Sequence, residues 1–198
     1  MSDHLRLSGR PFEAQHAALV AMISDEPVLM EVLAGIAELP EGLVVAGALY
    51  NLAWNRLSGR APLSGVADID VFYFDPSDLS YEAEDVVIRR LAARFAHLPL
   101  PVQVRNQARV HLWFEGKFGA PFTPLRSAAE MLGRYSSKTH SVRARLERGE
   151  IELVTPFGLD EHFSFRVVPN HALANQPAYE AKAARVKATW PEVTVLPW

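Results

Sequence analysis

Apolar residues recur with a helical period over the first forty positions. Pro11 suits a first helical position, and Phe12, Leu19 and Ile23 then share one face with His16 between them. Asp25 and Glu26 precede a second run, Val28 to Leu39, rich in Leu, Ala and Met, which Pro40 and Gly42 end. This pattern predicts two helices. Positions 1–40 form an N-terminal helical segment packed on a domain spanning 41–198, the two making one compact unit.

The period then shortens. Leu43-Val44-Val45-Ala46 is apolar and β-branched and predicts a short buried strand. Gly47 follows, and Leu49, Leu52, Ala53 and Leu57 trace a helix that Ser58-Gly59 stops. Residues 58–67 are a loop. Asp68-Ile69-Asp70-Val71-Phe72-Tyr73-Phe74-Asp75 is the clearest strand, and Pro76 blocks its continuation. Ser80 is placed to cap a helix that opens with Glu82, Glu84 and Asp85, carries Val87, Leu91, Phe95 and Leu98 on one stripe, and stops at Pro99 and Pro101. Val102 to Arg105 predicts a second strand of the same sheet. Over 106–116 periodicity does not choose between more strand and a helix. Residues 126–135 predict a helix, 141–154 two short strands around Arg148-Gly149, and 178–190 a final surface helix. The expected fold is α+β: a small mixed β-sheet flanked by helices.

Composition narrows the class. The chain has 198 residues, 49 % hydrophobic and 22 % charged, which is enough for a core without staples. The absence of cysteine excludes disulfides, thiolate zinc sites and cysteine nucleophiles. A net charge of −3 gives no strong nucleic-acid signal. No apolar run approaches the ~18 residues of a membrane helix, and Met1 to Arg10 lacks an apolar signal core. The expectation is a cytoplasmic protein with no membrane partner. No repeat or low-complexity segment is evident.

The sharpest chemical feature is Asp68-x-Asp70 on a strand. Alternation sends both carboxylates to one face and Ile69 to the other. Two close, partly buried carboxylates stay ionised only beside a cation, and a hard divalent ion, Mg²⁺ or Mn²⁺, is the natural one. Asp75 has the opposite parity and suits a strand terminator. The alternative is a pair of solvated acids at a strand end. Upstream, Gly47 opens a helix whose free N–H groups suit a phosphate, with Ala48 beside it and Asn51 one turn on. The alternative there is a plain tight turn.

Ala46-Gly47-Ala48, the Asp68–Asp75 strand, Val104-Arg105-Asn106-Gln107-Ala108-Arg109-Val110-His111 and Pro156-Phe157-Gly158-Leu159-Asp160 together resemble the DNA polymerase β-type nucleotidyltransferase superfamily. More narrowly, they resemble a little-characterised bacterial nucleotidyltransferase-like family. The resemblance covers roughly residues 40–195, and its Asn-Gln-Ala-Arg block is more specific than the two aspartates. It implies transfer of a nucleoside monophosphate from a nucleoside triphosphate to an unknown acceptor hydroxyl, with Asp68 and Asp70 as metal-binding catalytic acids. It also implies that these acids bind two divalent ions, with a third acid on a neighbouring strand. Gln103 stands where that acid is expected, and Ala48 where a serine is common. One ion, an acid recruited from afar such as Asp160, or a catalytically silent nucleotide-binding or regulatory module are the readings left open. A structural or partner-binding protein with no nucleotide site is a third class.

If the second strand continues through 105–111, Arg105, Gln107, Arg109 and His111 share a face. Arg105 and Arg109 then suit phosphates, and Asn106 and Gln107 a base or ribose. The alternative for Asn106 and Gln107 is a polar network tying sheet to helices. His111 suits a satisfied structural histidine, and the seven histidines show no metal spacing. Lys138, Arg143, Arg145 and Arg148 form a late basic cluster, either a triphosphate contact or a charged edge strand. Trp54, Trp113 and Trp190 suit base stacking or core.

Overall fold

The computed structural model describes residues 3–119 and 121–198. Helices α1 (Phe12–Ser24) and α2 (Pro27–Ile36) open the chain. The Glu26 side chain accepts from the Val28 N–H at 3.4 Å, and Pro27 takes the first helical position. Helix α1 buries Gln15, Leu19 and Ile23, whereas Phe12 remains 45 % exposed.

Strand β1 (Leu43–Val45) leads into α3 (Gly47–Leu57), and β2 (Ile69–Tyr73) is followed by α4 (Tyr81–Arg94) and β3 (Val102–Asn106). Then come α5 (Val110–Phe118), β4 (Arg143–Glu147), β5 (Glu150–Val154), α6 (Asp160–Phe163), β6 (Arg166–Val167), α7 (Gln176–Thr189) and β7 (Thr194–Val195). The main sheet runs β3-β2-β1-β4-β5, and β6 pairs with β7 apart from it. Strands β2 and β3 are parallel, so a crossover must join them, and α4 is that crossover. The other pairings in the main sheet are antiparallel, which makes it mixed.

Pairing register fixes what shares a face. Gln103 lies opposite Asp70, Asp70 opposite Val45, and Val45 opposite Arg143, so these four form one row. Ile69, Val71 and Tyr73 turn the other way and are buried. Leu19, Val32, Val71, Trp54, Val186 and Val193 all belong to one core, so the first helices and the last share it. Helix α2 approaches α4 closely at Gly35, where an added Cβ would stand 2.5 Å from the Phe95 ring.

Several expectations need correction. The second strand stops at Asn106, because its side-chain oxygen accepts from the Ala108 N–H at 3.1 Å and turns the backbone into a 3-10 turn, Gln107–Arg109. Alternation through 105–111 therefore does not occur, and α5 follows. Residues Ala129–Arg134 form a 3-10 helix within the segment expected to be helical. The two strands expected around Arg148-Gly149 are present: the β4–β5 hairpin turns on those residues, whose φ angles of 52° and 84° suit a two-residue turn. Strand β4 pairs on both sides, so Arg143 and Arg145 do not guard an edge.

Candidate active site

Asp68 immediately precedes β2 and Asp70 is its second residue. Both line one cavity of about 350 Å³. Asp68 accepts from Gln103 Nε2 at 2.6 Å, and the Asp70 carboxylate has no hydrogen-bond partner among the described residues. Removal from water raises the Asp70 carboxyl above its ordinary range, and Asp68 raises it further. Lys182 and Arg105 act in the opposite direction. A cation in this cavity would relieve that repulsion.

Helix α3 contributes its N-terminus. Ala46 has φ 46°, donates its N–H to Val142 O at 2.9 Å, and accepts from Leu49 and Tyr50 at 3.0 Å. The N–H groups of Gly47 and Ala48 then lack intrahelical acceptors. Gly47 lines the cavity, and a Cβ added there would meet no atom within 4 Å. Its backbone does not occupy the left-handed region, so the conformation does not require glycine. Asn51, on the same helix, is 7 % exposed and lines the cavity, and its Oδ1 is buried without a partner. A buried orphan acceptor at a cavity wall suits a ligand donor.

The cavity also has lining residues that the sequence pattern does not single out. Helix α7 turns Lys182, Arg185, Val186 and Thr189 into the cavity. Those positions are spaced i, i+3, i+4 and i+7, one helical face, and the sequence signal was that spacing. The Lys182 ammonium lies 5.6 Å from the Tyr50 ring centre and 6.0 Å from that of Tyr135. It makes no ion pair among the described residues. Burial pushes it down to about 8, although Asp70 opposes that shift. Burial also pushes the Tyr50 and Tyr135 phenols up, so both remain neutral.

The other predicted residues are distributed differently. Arg105 shares the Asp70 face and its field, and donates to Val104 O at 2.8 Å. Asn106, Gln107 and Arg109 do not line the cavity. The Asn106 side chain donates to Asp75 O at 2.8 Å and accepts from Asp75 N–H at 3.1 Å. Its own N–H donates to Glu84 at 2.8 Å, and Glu84 in turn forms a buried ion pair with Arg109. Gln107 Nε2 stands 3.5 Å from Arg105 O, and its Oε1 has no partner. His111 is not the satisfied histidine expected, since its Nδ1 is buried and unpaired.

Asp160 is not recruited from afar. It accepts from Gly9 N–H at 2.7 Å and Gln15 Nε2 at 3.1 Å, away from the cavity. Asp75 binds Ser77 in a turn, as a strand terminator does. In the late basic cluster Arg145 pairs with Glu147 and Glu152, Lys138 lies over Phe157, and none of the four lines the cavity. Trp54 is core, Trp190 is buried in the core and also lines the cavity, and Trp113 is partly exposed on α5. Among the described residues no three His, Cys, Asp or Glu side chains are grouped to hold a metal.

A mixed sheet with paired aspartates facing a helix N-terminus defines a nucleotidyltransferase-like α+β domain. The chain belongs to a nucleotidyltransferase family, whose sequence profile it matches over residues 34–195. A solution NMR structure described as revealing a CCA-adding enzyme head domain has a similar fold. The TM-score is 0.74 at 26 % identity, over 92 % of this chain and 96 % of that one. No curated protein matches the sequence. Among the described residues no helix is long and apolar enough to cross a membrane.

Proposed function

We propose that this protein is a cytoplasmic, metal-dependent nucleotidyltransferase that moves a nucleoside monophosphate from a nucleoside triphosphate to an acceptor hydroxyl. The observation that carries this reading is a single cavity shared by Asp68, Asp70, the N-terminus of α3 and two basic side chains of α7. The aspartates fit one hard ion, Mg²⁺ or Mn²⁺, whose remaining positions phosphate oxygens would fill. Such an ion, when bound, supplies positive charge to the phosphates as charge shifts toward the leaving group.

The remaining work falls to the chain. Gly47 and Ala48 offer N–H groups to phosphate oxygens, and the open space at Gly47 admits the ligand to the backbone. Asn51 supplies a polar contact, and Lys182, Arg185 and, from the sheet, Arg105 supply positive charge. In the step itself the acceptor oxygen bonds to the α-phosphorus while the bond to the β-phosphate oxygen breaks. Pyrophosphate departs with that electron pair, and the hydroxyl proton passes to water. Asp70→Asn should cut Mg²⁺- or Mn²⁺-dependent pyrophosphate release at least ~100-fold. A variant that retains the full rate removes Asp70 from the mechanism.

A second reading, a silent nucleotide-binding or regulatory module, is favoured by one observation: the third acid is replaced by Gln103, which is tied to Asp68. Melting shifts with nucleoside triphosphates and Mn²⁺, without pyrophosphate release over a broad panel of hydroxyl acceptors, would select it.

A further inference from the structure

We infer that this site works with one divalent ion, and that Lys182 supplies the positive charge a second ion would bring. The inference rests on the nucleotidyl-transfer reading and specifies how its charge is arranged.

Two ions about 4 Å apart share carboxylate ligands and need more acids than a single ion does. The strand beside Asp70 offers a neutral amide, and that amide is already engaged. Gln103 Nε2 donates to Asp68 Oδ2 at 2.6 Å, placing an N–H where an additional carboxylate oxygen would have to stand. Asp160 and Asp75 are committed elsewhere. Two carboxylates carry two negative charges, and one divalent ion balances them. A second would have phosphate oxygens but no further carboxylate of the cavity lining as ligands, and it would stand beside the positive charges of Lys182 and Arg185.

Lys182 has what the substitute requires. It lines the same cavity as the aspartates, on a helix rather than a loop, with its ammonium near two neutral aromatic rings. Among the described residues it is paired with no carboxylate, and the negative charge that acts on it is that of Asp70, which lines the same cavity. A lysine ammonium is a compact point charge with three donors, able to contact non-bridging phosphate oxygens without fixed coordination geometry.

The test counts ions without turnover. Wild-type protein saturated with α,β-methylene-ATP and Mn²⁺ should retain one Mn²⁺ per chain by electron paramagnetic resonance after removal of free ligand. Lys182→Met should still retain one while binding the analogue at least tenfold more weakly. Lys182→Arg, which keeps the charge, should restore most of that affinity, and this separates lost charge from lost packing. The double variant Gln103→Asp, Lys182→Met should retain two. Two Mn²⁺ ions in the wild type overturn the inference and leave nucleotidyl transfer standing. Unchanged affinity in Lys182→Met, or a double variant that still holds one, also overturns it. No retained Mn²⁺ in any form sinks the metal role of the aspartates, and this inference with it.

Discussion

Gly47 shows how much one residue can reveal when the backbone does not need it. Glycine inside or at the start of a helix normally costs up to ~1 kcal/mol relative to alanine. Here neither a left-handed φ nor a close neighbour explains the choice, and the space beyond its Cα is the cavity. Gly47→Ala should therefore stabilise the fold slightly, by up to ~1 kcal/mol in urea unfolding. The same variant should bind a nucleoside triphosphate at least tenfold more weakly in a titration, because the methyl fills space meant for a phosphate. A variant of unchanged affinity would reduce Gly47 to a plain turn residue. Asn51 differs in kind. Its buried, unpaired Oδ1 tolerates the free state and improves only when a donor arrives.

At the scale of elements, the turn that ends β3 explains both what the sequence disclosed and what it hid. The strands that place Asp68 and Asp70 were legible because they are short, β-branched and bounded by Pro and Gly, and the helix after Gly47 because its apolar stripe is strong. The Asn-Gln-Ala-Arg block was legible as a special segment, but not as a turn. Nothing in periodicity reveals that Asn106 bonds forward to Ala108 and back to Asp75. The site's far wall was hidden for another reason. Helix α7 lies more than a hundred residues after Asp70, and Lys182 on an alanine-rich helix dotted with charges looks like any solvated lysine until topology brings it to the sheet. The buried Glu84–Arg109 pair follows from the same turn. Glu84→Ala strands a charge and should cost about 3–5 kcal/mol in urea unfolding. If Arg109 serves structure, analogue affinity of the folded variant stays near wild type. A large loss of affinity in protein that remains folded would return Arg109 to the nucleotide.

For the whole molecule, the question is what keeps the two walls of the cavity facing each other. Trp54 of α3 stands at the centre. Its Nε1 donates to His162 O at 2.7 Å, its ring stacks on Phe165 at 5.6 Å, and Trp190 meets it edge-on at 5.4 Å. Trp190 Nε1 also donates to Asn55 Oδ1 at 3.0 Å, so the end of α7 is tied to α3. His140 stacks on Tyr50 at 4.3 Å, and both ring nitrogens of His140 and His162 are buried without partners. Burial pushes His162 from 6.5 down to about 4 and His140 well below its usual range. Both rings are therefore neutral in the native state. Between pH 6.5 and 4 the unfolded chain binds a proton at His162 that the folded chain refuses, so stability falls as pH drops through that window. His162 alone should remove about 2 kcal/mol between pH 7 and pH 5, read as a falling urea midpoint. His162→Leu should make the profile shallower, with His140 supplying the slope that remains, even if stability at pH 7 is lower, and an unchanged slope would show that His162 is not buried neutral. Because this core holds Lys182, Asn51 and the aspartates around one cavity, urea at pH 5 should abolish analogue binding at a lower concentration than at pH 7. Loss of binding should coincide with the unfolding midpoint at each pH, since the site's two halves have no separate hold on one another.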